Sequence, residues 1–367
     1  MAPHISLLVK PASSACNMRC RYCFYRDVAC HRAHAVEPRM SRETAHALVD
    51  KALGLAPDAH VTFAFQGGEP TLAGLPFFRD FVSRVEERRE RQHVTYALQT
   101  NGLAVADDPA WADFFARHDF LVGVSVDGYR GLHDHLRPDA TGGPTYDRVL
   151  AAIARLREAG VAFNVLTVLT AQLARHPQQA FRFLVRERID YVQYVPCLPG
   201  LGERADEWSL SPRAFAAFYR SLLQQWLREL DRGHYVSVGL FDDLMAMSLG
   251  RRPVQCGMLG RCSPQLVVEA SGDVYPCDFY ALDEWRCGNV ATDSLEGLVT
   301  CEAQRRFAAE PRRPCSACAT CRFEGLCHRN CKRLNIAYYD EGYCGYREFL
   351  EYGFDRLAAV ARLLARG

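Results

Sequence analysis

Three cysteines near the N-terminus have the type and spacing needed to hold a metal centre. Cys16, Cys20 and Cys23 lie directly after an apolar run at residues 5–9 that predicts a strand. Iron–sulfur clusters are bound by cysteine thiolates, and a cubane cluster takes four. Three thiolates therefore leave one iron open, as a catalytic metal site requires. A zinc knuckle is the alternative, because zinc binds cysteines at similar spacings and Cys30 could supply a fourth ligand.

Composition and charge narrow the class of protein. The chain has 367 residues, of which 49% are hydrophobic and 24% charged, as expected for a globular protein of about two domains. A net charge of +1 favours neither a nucleic-acid partner nor an anionic membrane. We predict no membrane span and no signal peptide, hence a cytoplasmic location. The 16 cysteines then favour metal binding over disulfides.

Strand-like and helix-like segments alternate along the first half of the chain. Helical patterns occupy residues 76–91 and 146–159, and Ser41 is a candidate N-cap of an earlier helix. The alternation predicts a parallel sheet with right-handed crossovers, either open or closed into a partial barrel. The predicted strands are residues 4–10, 60–66, 94–99, 120–126, 162–169 and 191–196.

Polar motifs follow several of these strands. After the second strand comes Gln66-Gly67-Gly68-Glu69, in which two glycines allow close backbone approach and a carboxylate can bind an ammonium group. The same residues could also form an ordinary turn. The turn dipeptides 101–102 and 127–128 follow the next two strands. In parallel α/β barrels the chemistry lies at the carboxyl ends of the strands, so their recurrence there predicts a site.

A second cysteine block follows a predicted long helix at 211–232 and a strand and helix at 235–249. Two cysteines precede a predicted hairpin at 266–277, which turns at 271–273, and a third cysteine ends it. Five more lie between residues 318 and 344. Cysteines in this number indicate metal binding, for which a zinc ribbon is one possibility. The eight cysteines are Cys256, Cys262, Cys277, Cys318, Cys321, Cys327, Cys331 and Cys344.

The first block, Cys-x3-Cys-x2-Cys followed by Phe24-Tyr25, resembles the radical S-adenosylmethionine (SAM) enzymes, and the second resembles their SPASM domain. The resemblance implies an α/β fold with a partial (β/α)6 TIM-like barrel at residues 1–250, a SPASM domain at 251–350 and a C-terminal helix at 351–367. It also implies SAM and three [4Fe–4S] clusters as cofactors. The implied ligands are Cys16, Cys20 and Cys23 for the SAM cluster, Cys256, Cys262, Cys277 and Cys331 for auxiliary cluster I, and Cys318, Cys321, Cys327 and Cys344 for auxiliary cluster II.

Five cysteines are left over and are interpreted as non-ligands, namely Cys30, Cys197, Cys287, Cys301 and Cys315. Of these, Cys315 is close enough in sequence to compete for auxiliary cluster II. The resemblance also implies SAM contacts, with Glu69 at the amino group and Ser125 and Arg137 at the ribose and carboxylate. A solvated side chain is the alternative for Arg137. The implied SAM contacts are Tyr22, Gly67, Gly68, Glu69, Ser125, Arg137 and Leu198.

Residues 6–14, 63–74 and 275–280 resemble one subgroup, the anaerobic sulfatase-maturating enzymes. These enzymes oxidise an active-site Cys or Ser of a sulfatase to Cα-formylglycine after a 5′-deoxyadenosyl radical removes a Cβ hydrogen. The resemblance implies Asp278 as the base, auxiliary cluster I as the first electron acceptor, and Tyr25, Gln66 and Gln99 as substrate contacts. For Asp278, a hydrogen-bond acceptor that orients the cluster loop is the alternative.

The implied partners are a sulfatase polypeptide or another peptide and a flavodoxin- or ferredoxin-like electron donor. Two other functions stay open. A SPASM enzyme could instead form thioether or carbon–carbon cross-links on a ribosomal peptide. A non-catalytic electron carrier is disfavoured, because a carrier has no use for an open iron.

Overall fold

The structure is a computed structural model that describes residues 3–35, 38–313 and 315–365. Its strands are β1 His4–Val9, β2 His60–Phe65, β3 His93–Thr100, β4 Phe120–Ser125, β5 Phe163–Leu169, β6 Tyr191–Pro196, β7 Ser237–Val238, β8 Val267–Val268, β9 Asp273–Tyr275 and β10 Gly288–Asn289. Its α-helices are α1 Phe24–Cys30, α2 Arg42–Leu53, α3 Leu75–Arg88, α4 Leu103–Asp107, α5 Ala110–Arg117, α6 Arg130–Leu136, α7 Tyr146–Glu158, α8 Pro177–Arg186, α9 Pro212–Leu230, α10 Gly239–Ser248, α11 Leu295–Thr300, α12 Glu302–Ala309, α13 Glu324–Cys327 and α14 Gly345–Leu364. Short 3₁₀ helices span Pro70–Ala73, Leu173–Arg175, Cys256–Leu259, Asp278–Tyr280, Asp283–Trp285, Ser316–Cys318 and Leu334–Ala337.

The chain divides into two compact units. The first comprises Met1–Ser125, Arg137–Phe163 and Ser263–Ala309, and the second comprises Val126–Leu136, Asn164–Cys262 and Glu310–Gly367. Because compact units and sequence domains divide a chain by different criteria, the domain boundaries at 250 and 350 stay a prediction. The predicted C-terminal helical segment, 351–367, falls on a helix that already begins at Gly345, and its last two residues lie outside the described ones.

In the first unit β1, β2, β3 and β4 run parallel in sequence order, as predicted. The predicted hairpin also forms, with β8 antiparallel to β9, and β10 pairs with β9 on its other side. The sequence did not predict that β8 would pair in parallel with β1, where Val9 faces Val268. The strands within the second cysteine block therefore belong to the same sheet as β1, which precedes the first cysteine block.

The core of the first unit is aromatic. Phe63 and Phe65 on β2 pack edge-on against Phe81 of α3, and Tyr96 and Phe120 stack at a ring-centroid distance of 4.9 Å. Each fully buried aromatic side chain contributes about 1.5–3 kcal/mol of hydrophobic stabilisation. The helix ends follow local signals. The hydroxyl of Ser41 accepts a hydrogen bond from the backbone N–H of Thr44 at 3.1 Å, which confirms the predicted N-cap of α2.

In the second unit β5, β6 and β7 run parallel. Ser211 caps α9 as predicted, since its hydroxyl accepts from the Ala214 N–H at 3.3 Å. The apolar stripe of α9 is a core face, and Trp226 on it donates to the Val236 carbonyl at 2.7 Å. Within the part of the chain that the structure describes, no helix is both long and apolar enough to cross a membrane.

Candidate active site

Asp278, the predicted base, lies in a buried polar cluster at the carboxyl end of β1. Its Oδ2 accepts a hydrogen bond from the Tyr25 hydroxyl at 2.7 Å, and the Gln66 amide nitrogen is 3.3 Å from the same oxygen. Gln66 also donates to the Tyr25 hydroxyl at 2.5 Å. The other carboxylate oxygen of Asp278, Oδ1, lies 2.8 Å from Nζ of Lys10. The structure thus brings the predicted base and two predicted substrate contacts together, and adds a lysine that the sequence did not indicate.

Strand pairing explains this convergence. The Lys10 N–H donates to the Val268 carbonyl at 2.8 Å, which continues the β1–β8 ladder, and the Gln66 N–H donates to the Val9 carbonyl at 3.0 Å. From β9 the chain passes through Cys277 into the 3₁₀ turn that begins at Asp278. Three chain segments far apart in sequence therefore meet beside Lys10, although β9 runs antiparallel to the neighbouring β8.

Four charges meet around Lys10, whose side chain is 1% exposed. Its ammonium also lies 3.2 Å from Glu269 Oε1, and that oxygen lies 2.8 Å from the Arg32 guanidinium. Burial alone would lower the pKa of Lys10, but the Asp278 and Glu269 carboxylates outweigh it and raise the pKa. Burial alone would raise the pKa of Glu269, but Lys10 and Arg32 hold it below its usual value. Burial and the neighbouring Asp278 raise the pKa of Tyr25.

The three cysteines of the first block lie close enough to influence one another. Desolvation by neighbouring atoms raises the pKa of the Cys16 thiol to about 12 although the residue is partly open to solvent, with further contributions from Glu69, Cys20 and Cys23. A polar group faces one of these sulfurs, because the side-chain amide nitrogen of Asn101 lies 3.8 Å from the Cys16 sulfur. A bound metal centre would offset the charge of such thiolates and keep them deprotonated, so this donor set fits a cluster. Among the described residues no group of three or more His, Cys, Asp or Glu side chains is arranged to hold a single metal ion.

The two glycines after β2 pack against the start of the cysteine loop. The Gly68 N–H donates to the Ser13 carbonyl and the Glu69 N–H to the Ala15 carbonyl, both at 2.8 Å. A Cβ added to Gly68 would lie 2.2 Å from the Ala15 oxygen. Gly67 has a φ of +125°, which favours glycine, and it also lies against the backbone oxygen of Ser13. These glycines therefore have a role that the sequence interpretation missed, because they fix the loop that carries Cys16.

Glu69 is buried, with 1% of its surface exposed. Its Oε1 accepts from the Thr71 N–H at 3.1 Å and from the hydroxyls of Thr71 and Thr100 at 2.6 and 2.8 Å. Its Oε2 accepts from the Asn101 N–H at 2.7 Å. Burial raises the pKa of this carboxyl, and all four donors are neutral. A cationic ligand at this point would stabilise the ionised form, so Glu69 fits the predicted contact to an ammonium group.

The other predicted SAM and substrate contacts occupy both units. In the first unit the Gln99 amide donates to the Ser125 hydroxyl at 3.1 Å. The buried Arg137 guanidinium lies 5.5 Å from the centre of the Tyr22 ring and 3.8 Å from the Cys20 sulfur. Its burial argues against a freely solvated arginine. Leu198 lies in the second unit, two residues after β6, and is partly buried.

A pocket in the second unit is lined by the four cysteines predicted to bind auxiliary cluster II, with Arg347 beside them. Cys315 is not among its lining residues, although it lies near Cys318 and Cys344 and raises the pKa of both thiols after the larger effect of burial. The ligand set of auxiliary cluster II therefore stays a prediction, with Cys315 next to two of its members. The four lining cysteines are Cys318, Cys321, Cys327 and Cys344.

For auxiliary cluster I, three of the four predicted ligands lie in the second unit. Desolvation by neighbouring atoms raises the pKa of Cys256 to about 11 although the residue is partly open to solvent, with smaller contributions from Cys331 and Cys262. A Cβ added to Gly257 would lie 2.8 Å from the Cβ of Cys331, so the two loops touch. Cys277 belongs to the first unit, and the four-ligand assignment stays a prediction.

The remaining cysteines have varied surroundings. Cys30 is exposed at the end of α1, and Cys197 is buried after β6. Cys287 and Cys301 share a neighbour, because the Cys287 thiol lies 3.6 Å from Gln304 Oε1 and the Gln304 N–H lies 3.4 Å from the Cys301 sulfur. Nothing in these contacts contradicts the prediction that they are not cluster ligands.

Comparison with known proteins defines the class. Residues 11–184 match the family model of the radical SAM superfamily, and residues 256–322 match that of an iron–sulfur cluster-binding domain. The chain is thus a radical SAM protein with a SPASM domain. This confirms the predicted fold class, an α/β radical SAM core with a cysteine-rich C-terminal domain, and SAM and iron–sulfur clusters as its cofactors.

Individual relatives narrow the family. A cysteine-type anaerobic sulfatase-maturating enzyme from Clostridium perfringens is 36% identical over 98% of this chain and 99% of its own. A serine-type enzyme from Klebsiella aerogenes is 30% identical over 90% of this chain and 80% of its own. A solved structure described as native anSMEcpe with bound AdoMet and Kp18Cys peptide has a TM-score of 0.90, 35% identity, and coverage of 98% of this chain and 100% of that chain. The chain belongs to the family of anaerobic sulfatase-maturating enzymes.

Proposed function

We propose that this protein oxidises an active-site cysteine of a sulfatase polypeptide to Cα-formylglycine. The observation that carries the proposal is the convergence of Tyr25, Gln66 and Asp278 into one hydrogen-bonded cluster. In that cluster a carboxylate lies next to groups able to hold a peptide. A cysteine target is favoured over serine, because the cysteine-type relative is more similar to the chain and matches it over nearly its whole length.

When bound, the cofactors supply a 5′-deoxyadenosyl radical that removes a Cβ hydrogen from the target, and an acceptor for the second electron. In this proposal Cys16, Cys20 and Cys23 hold the SAM cluster, and Glu69 and Arg137 bind the SAM amino and carboxylate groups. Bidentate or charge-assisted contacts of this kind are the strong ones in such sites.

The protein's own part in the oxidation is proton transfer and water exclusion. Asp278 accepts the proton of the target thiol, which must approach the carboxylate to about 2.6–3.2 Å for general-base catalysis. Tyr25 and Gln66 hold the target side chain against Asp278. Loss of one hydrogen atom, one proton and one electron leaves a carbon–sulfur double bond, which water hydrolyses to the aldehyde with release of sulfide. A serine target would give the aldehyde directly, without sulfide.

The remaining parts of the proposal concern the protein's surroundings. The radical chemistry needs a reductant, for which we propose a flavodoxin- or ferredoxin-like donor. We propose a cytoplasmic location, because a reducing compartment suits the 16 cysteines, most of which are proposed to bind clusters as thiolates.

The proposal is tested with protein reconstituted anaerobically with iron and sulfide. The protein is incubated with SAM, dithionite and a Cys-x-Pro-x-Arg peptide or its serine form, and aldehyde is trapped with a hydrazine and detected by mass spectrometry. The expected result with the cysteine peptide is trapped aldehyde, with sulfide and 5′-deoxyadenosine in matching amounts. A triple variant with alanine at Cys16, Cys20 and Cys23 is the control, and it should retain auxiliary iron but form no deoxyadenosine.

Two results would contradict the proposal in different ways. Deoxyadenosine without aldehyde would keep the SAM chemistry and refute the sulfatase-type substrate, whereas a cross-linked peptide would identify the ribosomal-peptide alternative. Aldehyde from the serine peptide alone would keep formylglycine synthesis and refute the cysteine preference.

A further inference from the structure

Lys10 is a buried lysine, and its burial calls for a functional or structural explanation. Lysines are only three of the 44 basic residues of the sequence, and Lys10 is the one buried to 1% exposure, at the end of β1. Burying a charge is costly unless it is paired, and lysine is almost never fully buried otherwise. Its neighbours are the predicted base and a second buried carboxylate.

The two carboxylate oxygens of Asp278 have different partners. Oδ1 lies 2.8 Å from Nζ of Lys10, whereas Oδ2 accepts a hydrogen bond from the Tyr25 hydroxyl at 2.7 Å. A carboxylate bound at both oxygens cannot rotate about its Cβ–Cγ bond without losing a contact. Lys10 therefore leaves Oδ2 facing Tyr25 and Gln66, the residues proposed to hold the peptide.

Glu269 and Arg32 in turn hold the Lys10 side chain in place. Glu269 Oε1 lies 3.2 Å from the Lys10 ammonium, and the Arg32 guanidinium lies 2.8 Å from the same oxygen, with both side chains nearly inaccessible. The two cations and two anions balance, so their mutual attraction offsets the cost of removing each charge from water. The ammonium is a compact point charge on a flexible stem, and it can reach two carboxylates where a planar guanidinium would need more room.

We propose that Lys10, held by Glu269, is a positioning residue that orients the Asp278 carboxylate for the oxidation step. The inference rests on the proposed function, since it assigns Lys10 a part in the same reaction. Lys10 does not take the proton and contributes nothing to SAM cleavage. Its contribution is to keep Oδ2 in line with the target thiol, where a misplacement of about 1 Å costs on the order of 100-fold in rate.

The experiment compares two products in the same reaction, 5′-deoxyadenosine and trapped aldehyde. Lys10→Met keeps the length of the side chain and removes the charge. We expect deoxyadenosine formation within about twofold of wild type and an aldehyde yield per deoxyadenosine lower by about 100-fold. Lys51→Met is the matched control, because Lys51 is a lysine of the same compact unit that donates to the Asp293 carbonyl at 2.6 Å, and it should leave the ratio unchanged.

A double-mutant cycle separates positioning from a general structural role. If Lys10 acts through Asp278, Lys10→Met should add no further loss of aldehyde to that of Asp278→Asn. Independent, additive losses would overturn the proposal, as would a folded Lys10→Met protein with the wild-type ratio. No aldehyde from wild-type protein would instead refute the proposed function, which distinguishes the two failures.

Glu269→Gln covers the case in which Lys10→Met does not fold. This variant is nearly isosteric and removes the charge that holds Lys10 in place. A fall of at least about tenfold in the aldehyde ratio, with iron content and unfolding temperature close to wild type, would support the proposal. A folded Glu269→Gln protein with the wild-type ratio would overturn it.

Discussion

Gly68→Ala tests whether the glycines after β2 fix the cysteine loop. The new Cβ would lie 2.2 Å from the Ala15 oxygen and 2.6 Å from the Ser14 carbonyl carbon. Both are backbone atoms, so no side-chain rotation relieves the overlap. Because non-bonded carbon contacts are optimal near 3.5–4.0 Å, the two segments must separate by about 1 Å. That movement also weakens the hydrogen bond from the Glu69 N–H to the Ala15 carbonyl, now 2.8 Å long.

The expected cost has two parts. Overpacking that shifts backbone destabilises a protein by about 1–3 kcal/mol. The shift also displaces Cys16, which directly follows Ala15, from its partners Cys20 and Cys23. A misplacement of about 1 Å at a reacting centre lowers rates by on the order of 100-fold. We therefore expect a lower unfolding temperature and about 100-fold slower formation of 5′-deoxyadenosine.

The assay measures iron per chain, unfolding temperature and deoxyadenosine formation in one preparation. Gly131→Ala in α6 is the control, because an added Cβ there meets nothing within 4 Å and alanine favours a helix. It should match wild type or be slightly more stable. A Gly68→Ala protein with wild-type iron content and wild-type SAM cleavage would refute the claim that this contact positions the cluster loop.

Three further predictions address individual assignments. Asp278→Asn should still cleave SAM but form about 10²–10⁴-fold less aldehyde, and wild-type aldehyde yield would remove Asp278 as the base. Arg137→Lys keeps the charge but loses the planar contact to Tyr22, so the KM for SAM should rise about tenfold; an unchanged KM would argue against the SAM contact. Cys321→Ser should lose the iron of one cluster while Cys315→Ser keeps it, and the opposite result in iron analysis would reassign auxiliary cluster II.

The parts of the fold that follow local rules were predictable. The strand predicted at 60–66 is observed as His60–Phe65, because its alternating burial is visible as alternation in the sequence. Ser41 and Ser211 mark helix starts through hydrogen bonds to residues only three positions away. The cysteine spacings indicated the radical SAM family and its iron–sulfur domain, which the family models confirm, whereas the individual ligand sets stay predictions.

Lys10 could not be recognised in the same way. In the sequence it is the last residue of a predicted strand, followed by proline, where a solvent-exposed lysine is ordinary. Its burial depends on Glu269 and Asp278, more than 250 positions away, which arrive only because β8 pairs with β1. No local periodicity reports that pairing, since β8 is two residues long.

Two polar networks at the carboxyl ends of the strands have separate tasks. Glu69 joins the ends of β2 and β3 through Thr100 and Asn101, and Asn101 faces the Cys16 sulfur. Asp278 instead joins the segment after β9 to Lys10 and Tyr25.

Among the described residues, the hydrogen bonds and ion pairs of these networks share no side chain. Changes in the first network should therefore act on SAM cleavage, and changes in the second on the fraction of cleavages that yield aldehyde. The ratio of the two products thus reports which network a substitution has disturbed. For this reason the ratio, rather than total activity, is the measurement that can distinguish a base and its positioning lysine from the residues that hold the cofactor.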